Sequence, residues 1–251
     1  MNTPKTICIT GATSGIGWAT AQRLAKDGHR LLLCGRRQER LQTLEQDLSC
    51  PVHTLQFDVR DKKDVFAAIT QLPKAWQQID VLINNAGNAH GLDPVQSADL
   101  DDWDAMIDSN VKGLMYVTKA FLPHFLEQKH GQIINLGSIA GQEVYPNGSV
   151  YCASKFAVDA FTKGLRMDLN KHGIRVGAIH PGLVETEFSL VRFKGDTSRA
   201  DKVYADISAL QADDVAQAIA FMIDAPAHVT VADLTLLPTD QASSMVINRR
   251  E

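Results

Sequence analysis

Tyr151 and Lys155 stand four residues apart in Ser149-Val150-Tyr151-Cys152-Ala153-Ser154-Lys155-Phe156, at the start of an apolar, helix-like run. On a helix that spacing stacks both side chains on one face, close enough for an ammonium to influence a phenol. Free tyrosine and lysine titrate near ~10 and ~10.4, so neither moves protons usefully at neutral pH alone. Held together beside a reactive group, they can act as a proton-handling pair. Tyr-x-x-x-Lys also occurs on many ordinary exposed helix faces, so the surrounding chain has to supply the site.

The N-terminal stretch supplies its first part. Thr6 to Thr10 is β-branched, apolar and too short for a helix. Thr10-Gly11-Ala12-Thr13-Ser14-Gly15-Ile16-Gly17 follows, then a helical pattern from Trp18 to Asp27 closed by Gly28. Strand, glycine-rich turn and helix form the context of a dinucleotide fingerprint. The glycines allow a tight turn and close approach of a pyrophosphate, which the helix N-terminus attracts through unpaired N–H groups.

A second strand, His29 to Cys34, ends in Gly35-Arg36-Arg37. An NAD site usually carries an acid here for the ribose 2′-hydroxyl. Glycine stands in its place and two guanidinium forks follow, which suit phosphate oxygens. The inferred cofactor is therefore NADP(H), its 2′-phosphate held by Arg36 and Arg37.

The alternation continues along the chain. Arg37 to Leu48 is an amphipathic helix, and Val52 to Phe57 a strand ending at Asp58-Val59, where the acid can cap the next helix or accept from an adenine amino group. Asp61–Leu72 is helical until Pro73. Asp80 to Ile83 is a continuous apolar strand, as in a parallel sheet covered on both faces, and runs into Asn84-Asn85-Ala86-Gly87. Asp99 to Asp108 reads as a solvated, acidic helix start, and Asn110 opens a long helix to about His130. Gly131 to Leu136 is a strand ending at Gly137-Ser138. A helix from Val150 to Lys171 and a strand from Ile174 to Ile179 follow, then His180-Pro181-Gly182. A helix at Asp213 to Ala225 and a strand at Asp233 to Leu237 complete the pattern.

About seven strands alternating with helices predict an α/β fold: a single doubly wound parallel sheet of the Rossmann type with helices on both faces. Residues 1–251 read as one domain. The long stretch Leu183–Ile207 follows the C-terminal end of a strand, where ligands bind in such sheets, and reads as an irregular substrate loop.

Composition is ordinary for a soluble globular protein: 45% hydrophobic, 22% charged and a net charge of −4, with no basic footprint for nucleic acid. No basic-then-apolar leader and no apolar run of ~20 residues is present, so a cytoplasmic setting is expected and a membrane partner is not. The four cysteines show no CxxC spacing and the eight histidines no metal-ligand spacing, so no metal is expected. His180 reads as a packing residue. Asn147-Gly148-Ser149 matches a glycosylation sequon but is more simply a turn into the Tyr151 helix.

Thr10–Gly17, Asn84–Gly87, Ser138, Tyr151-x-x-x-Lys155 and Pro181-Gly182-x-Val184-x-Thr186 together resemble the short-chain dehydrogenases/reductases, in order and spacing, over nearly the full length. Gly35–Leu41, Val191–Asp196 and Ala225–Val229 further resemble the NADP-dependent 3-hydroxy acid dehydrogenases, a subgroup that includes serine and allo-threonine dehydrogenases. Thr235-Leu236-Leu237-Pro238-Thr239 departs from the Gly-Gly-containing end usual in the β-ketoacyl-carrier-protein reductases.

The resemblance implies hydride transfer between NADP(H) and the C3 hydroxyl or carbonyl of a small 3-hydroxy acid such as serine, allo-threonine or 3-hydroxyisobutyrate. It assigns Tyr151 as proton carrier, with Lys155 and the oxidised nicotinamide lowering the phenol's pKa and Lys155 also holding the nicotinamide ribose. Ser138 would serve the oxyanion, and Asn110 would bend a helix and keep a water in line with Lys155. Matching the phenol to pH ~7 requires a drop of ~3 units, or ~4 kcal/mol. The cofactor contacts expected are Gly11, Thr13, Ser14, Gly15, Ile16, Gly17, Arg36, Arg37, Asp58, Val59, Asn85, Ala86, Gly87, Pro181, Gly182, Val184 and Thr186, besides Tyr151 and Lys155. Gln142, Arg192 and Lys194 are the substrate candidates, Arg192 preferred for bidentate geometry on a carboxylate. The family implies a homotetramer, with the two long helices as pairing surfaces. Rival readings are a ketone or acyl-carrier reductase and an NADP sensor without turnover.

Overall fold

Alternation within each strand decides the layers of this protein. The structure, a computed structural model, describes residues 3–250. Its strands are Thr6–Thr10 (β1), Arg30–Gly35 (β2), Val52–Gln56 (β3), Val81–Asn84 (β4), Gly131–Leu136 (β5), Ile174–Pro181 (β6), Val184–Glu185 (β7), Leu210–Gln211 (β8) and Asp233–Leu236 (β9). Seven of them form one parallel sheet in the order β3-β2-β1-β4-β5-β6-β9, and β7 pairs with β8 in a small second sheet. Ile7 and Ile9 point to one face while Cys8 points to the other, and Leu31 and Leu33 oppose Leu32 and Cys34 in the same way.

Both faces are covered because both are apolar. The helices are Gly15–Lys26 (α1), Gln38–Asp47 (α2), Lys62–Thr70 (α3), Lys74–Gln77 (α4), Leu100–Ile107 (α5), Leu114–Gln128 (α6), Ser149–Leu169 (α7), Phe188–Arg192 (α8), Thr197–Tyr204 (α9) and Ala212–Asp224 (α10). Leu24 of α1, Leu41 of α2 and Ile219 of α10 pack on the first face. Ile69 of α3, Phe121 and Phe125 of α6 and Leu165 of α7 pack on the second. Each side chain of this set that is fully buried contributes about 1.5–3 kcal/mol from removal of apolar surface from water.

Three expectations need correction. α1 starts at Gly15 rather than Trp18, so the last glycines of the turn already belong to the helix. Asn110 does not open a helix: α5 runs through a π-helical turn at Asp108–Gly113 into α6, with Asn110 buried inside that turn. The stretch Leu183–Ile207 is not irregular, since β7, α8 and α9 lie within it. Asp196 caps α9 by accepting from the Arg199 amide. Asp61 does the same for α3 through the amides of Lys63 and Asp64, which fixes the turn after β3.

The strand order reverses between β1 and β4. Ligands in open α/β sheets bind at such a switch point, beyond the C-terminal strand ends. The turns after β1, β2, β4, β5 and β6 all carry predicted site residues to that edge.

Candidate active site

At the switch point the turn after β1 is built for close approach. Gly11 and Gly15 have φ of 65° and 50°, left-handed values that glycine adopts without steric cost. A Cβ on Gly11 would stand 2.9 Å from Ala86 Cα, so this turn is in contact with the turn after β4. Asn85 holds the two together: its Nδ2 donates to the carbonyls of Thr10 (2.9 Å) and Gly11 (3.2 Å). Thr10 Oγ1 accepts from the amides of Asn85 (3.1 Å) and Ala86 (3.0 Å). Ser14 stands at the N-cap of α1 with no side-chain cap bond, and no acid lies in the first turn. The amides of that turn therefore face the cleft with a positive dipole end and no competing side chain.

The cleft has a volume of about 670 Å³. Gly11, Thr13, Ser14, Gly15, Ile16, Arg36, Arg37, Asp58, Val59, Asn85, Ala86 and Gly87 line one part of it, and Ser138, Tyr151, Lys155, Pro181, Gly182, Val184 and Thr186 another. Gly17, Asn110, Gln142 and Lys194 do not line it, contrary to the direct contacts expected of Gly17, Gln142 and Lys194. A Cβ on Gly17 would fall 2.3 Å from the Gly11 carbonyl, so this glycine serves the packing of α1 on the turn. Gln142 is exposed and bonds Thr235 (3.2 Å). Lys194 pairs with Asp102 at 2.9 Å and Asp99 at 3.7 Å.

The arginine end of the cleft is asymmetric. Arg36 is 60% exposed, with only a loose 3.7 Å pairing to Asp58. Arg37 is tied down: Nε donates to Thr13 Oγ1 (3.2 Å), Nη2 to the Thr13 carbonyl (2.9 Å) and Nη1 to Glu187 (3.0 Å). Burial disfavours ionisation of Asp58, but hydrogen bonds from Arg60 and the charges of Arg60 and Arg36 outweigh it and hold the carboxyl below its ordinary range.

The tyrosine end is buried. Tyr151 and Lys155 are buried on α7, and Lys155 Nζ lies 6.0 Å from the Tyr151 ring centroid while donating to the Leu136 carbonyl at 2.9 Å. Burial pulls the Lys155 ammonium down to about 8. Burial also pushes the Tyr151 phenol up, with Tyr145 adding to the rise, while a hydrogen bond with Ser138 and the charge of Arg192 act downward. Among the chain's own groups, Arg192 is a cation that acts to lower the phenol, and burial outweighs it. Ser138 Oγ also accepts from the Ala140 amide (3.1 Å), which fixes its rotamer.

Asn110 works one layer behind. Its Nδ2 donates to the Asn88 carbonyl (2.8 Å) and Ser154 Oγ (3.0 Å), and its Oδ1 accepts from the Asn88 amide (2.8 Å). The π-turn aims this side chain across to α7 and to the stretch after β4, so it braces the segments that carry Gly87 and Lys155.

Arg192 closes the site. Its guanidinium carbon lies 5.6 Å from the Tyr145 ring centroid and 5.7 Å from that of Tyr151. Nε donates to the Gly91 carbonyl (2.9 Å), and the Gly91 amide returns a bond to the Arg192 carbonyl (2.9 Å). Its side chain also acts on the Tyr145 phenol by charge and hydrogen bonding, while its Nη2 is buried and has no hydrogen-bond partner among the described residues. A buried, unpaired guanidinium nitrogen is costly unless a ligand supplies an acceptor. Tyr145, Glu187 and Phe188 also line the cleft, and no periodicity or motif marks them in the sequence. Elsewhere, Asp159, His180 and Asp233 offer ligand atoms within 4.8 Å of one another, but Lys163 and Arg166 already pair with the two carboxylates.

Comparison with known proteins agrees with this geometry. The family model described as short chain dehydrogenase matches residues 5–196. Sulfoacetaldehyde reductase 2 of Chromohalobacter salexigens is 49% identical over 247 residues, 97% of this chain and 98% of that protein. The NADP-dependent 3-hydroxy acid dehydrogenase YdfG of Escherichia coli strain K12 is 44% identical over 237 residues, 94% of this chain and 96% of its own. Among solved structures, the closed form of a serine dehydrogenase complexed with NADP+ superposes with a TM-score of 0.93 at 43% identity, covering 98% of this chain and 100% of that one.

Proposed function

The chain belongs to the short-chain dehydrogenase family, and from that premise we propose that it is an NADP(H)-dependent oxidoreductase acting on a small, anionic 3-hydroxy acid or the matching carbonyl. The observation that carries this reading is half-buried Arg192, whose Nη2 is buried with no hydrogen-bond partner among the described residues and whose guanidinium carbon lies 5.7 Å from the Tyr151 ring centroid. A guanidinium there gives a carboxylate a bidentate partner. It sets the substrate's hydroxyl-bearing carbon against Tyr151 and Ser138.

NADP(H), when bound, supplies or accepts the hydride. The residues that would hold it fit its parts: the α1 amides for the pyrophosphate, Arg36 and Arg37 for the 2′-phosphate, Asp58 and Val59 at the adenine. Tyr151 and Lys155 would take the nicotinamide ribose, and Pro181, Gly182, Val184 and Thr186 the carboxamide. In oxidation the Tyr151 phenolate oxygen takes the proton of the substrate hydroxyl, and in reduction it returns one to the forming alkoxide. Ser138 holds that oxygen by hydrogen bonding. Lys155 places a positive charge below the site at pH 7, and Asn110 keeps α7 and the Asn88 segment in register.

A second reading is favoured by the 49% identity with a sulfoacetaldehyde reductase. A sulfonated aldehyde carries its acid group one carbon away from the carbonyl carbon, as a 3-hydroxy acid does. The same Arg192–Tyr151 separation suits both. We also take residues 1–251 as one domain working as a homotetramer in the cytoplasm. Phe156 and Met167 expose apolar surface on α7, the four cysteines are free thiols, and no helix of the described residues is long and apolar enough to cross a membrane.

Initial rates test the reading. NADP+ reduction is followed with L-serine, allo-threonine and 3-hydroxyisobutyrate enantiomers, and NADPH oxidation with sulfoacetaldehyde and with neutral ketones. Turnover of one anionic class is expected. Turnover of neutral ketones alone would remove the anion anchor, and NADPH binding without any turnover would favour a sensor.

A further inference from the structure

Glu187 stands immediately before α8 and reaches across the cleft to the start of α2. Its Oε2 accepts from Arg37 Nη1 at 3.0 Å and its Oε1 from Arg40 Nη2 at 3.4 Å. The preceding residue, Thr186, presses on the glycine turn: a Cβ on Gly15 would lie 3.3 Å from Thr186 Cβ. One carboxylate therefore bridges the segment after β6 to the arginine cluster beside the turn.

Exposure makes this ion pair weak as a source of stability. The side chains of Arg37 and Glu187 are 43% and 40% exposed, and pairs of this kind add little to folding. Position gives it consequence instead. Arg37 is fixed from behind by two bonds to Thr13, so its guanidinium cannot swing away with Glu187. Nη1, the nitrogen Glu187 occupies, belongs to the same fork that the proposed function assigns to a ribose 2′-phosphate. Asp58, the other acid near these arginines, is already held by Arg60 at 2.7 Å.

We propose that Glu187 is a built-in stand-in for the 2′-phosphate, a carboxylate on the arginine fork that the phosphate must displace or share, and so a determinant of cofactor affinity and preference. This rests on the NADP(H) reading above. A 2′-phosphate brings between one and two negative charges to within a few ångströms of a carboxylate on the same cation. Like charges at that range repel, so Glu187 lowers affinity for 2′-phosphorylated nucleotides and leaves unphosphorylated ones nearly untouched. The cost eases release of a tightly held dinucleotide.

The test is Glu187→Gln, which keeps shape and removes charge, measured by calorimetric titration with adenosine 2′,5′-bisphosphate and with 5′-AMP. The variant is expected to bind the bisphosphate about fivefold tighter, with 5′-AMP changed by less than about twofold, and the gap should shrink as salt rises. Unchanged or weaker bisphosphate binding, or an equal change for both nucleotides, overturns the assignment. If the unsubstituted enzyme itself does not prefer the bisphosphate over 5′-AMP, the 2′-phosphate site is wrong and the role of Glu187 falls with it.

Discussion

The guanidinium carbon of Arg192 stands 5.7 Å from the centroid of the Tyr151 ring, so a cation and a proton carrier share one wall of the cleft. The pair comes from two elements, α8 and α7, that are 41 positions apart in the chain between these residues. Arg192 sets where an acid group can sit, and Tyr151 sets where a hydroxyl can react. Substrates are thereby selected by the separation of those two groups.

Removing the phenolic oxygen isolates the proton step. Tyr151→Phe should lower kcat by about 10²–10⁴, the usual yield of a positioned general acid or base, while the Kd for NADPH stays within about threefold. The check is steady-state kinetics beside fluorescence titration. An unchanged kcat would move the proton to another group.

Cofactor choice should rest unequally on the two arginines. Arg36 is the more exposed and less engaged of them, so Arg36→Ala should raise KM for NADP+ about tenfold or more, the loss expected for a charge-assisted bond. KM for NAD+ should move by less than about twofold. Parallel changes for both cofactors would place Arg36 outside the phosphate site.

Lys155 ties activity to a stability cost with a definite pH window. In the unfolded chain the ammonium holds its proton to its ordinary 10.5, and in the folded chain to about 8. Below about 8 both states are charged and folding bears the full cost of the buried cation. Between about 8 and 10.5 the folded state has already released the proton, so stability rises with pH by up to about 3 kcal/mol. Relative to Lys155→Met, which cannot titrate, the natural enzyme should therefore gain stability from pH 7 to pH 10 in urea unfolding. A gap between the two proteins that does not change with pH would mean the lysine keeps its ordinary pKa.

Much of this is legible in the sequence, for reasons that differ by residue. The strand alternation at Ile7–Ile9 and Leu31–Leu33, the glycine turn and the absence of an acid at Gly35 are local signals, and each appears at its expected place in the fold. The π-turn at Asn110 was not legible as such, because its extra residue shifts the apolar phase by about 100° between α5 and α6 and so reads as the boundary of two separate helices. The helices α8 and α9 escaped because five and eight residues are too few to establish a 3.6-residue period. Tyr145 and Glu187 reach the cleft from loops, by contacts that span large sequence separations, so nothing in their neighbourhoods announces them. Lys194 and Arg192 are indistinguishable as charges in the sequence; only packing shows that Lys194 answers Asp102 while Arg192 turns inward.

The anion anchor is tested most directly by comparing 3-hydroxyisobutyrate with its methyl ester in the natural enzyme and in Arg192→Met. If Arg192 holds the acid group, kcat/KM for the acid falls by about 30-fold or more on substitution, as for loss of one partner of a buried charge pair, while the value for the ester changes by less than about threefold. Equal losses for acid and ester would contradict the account, because they would show that Arg192 shapes the cleft without binding the charge.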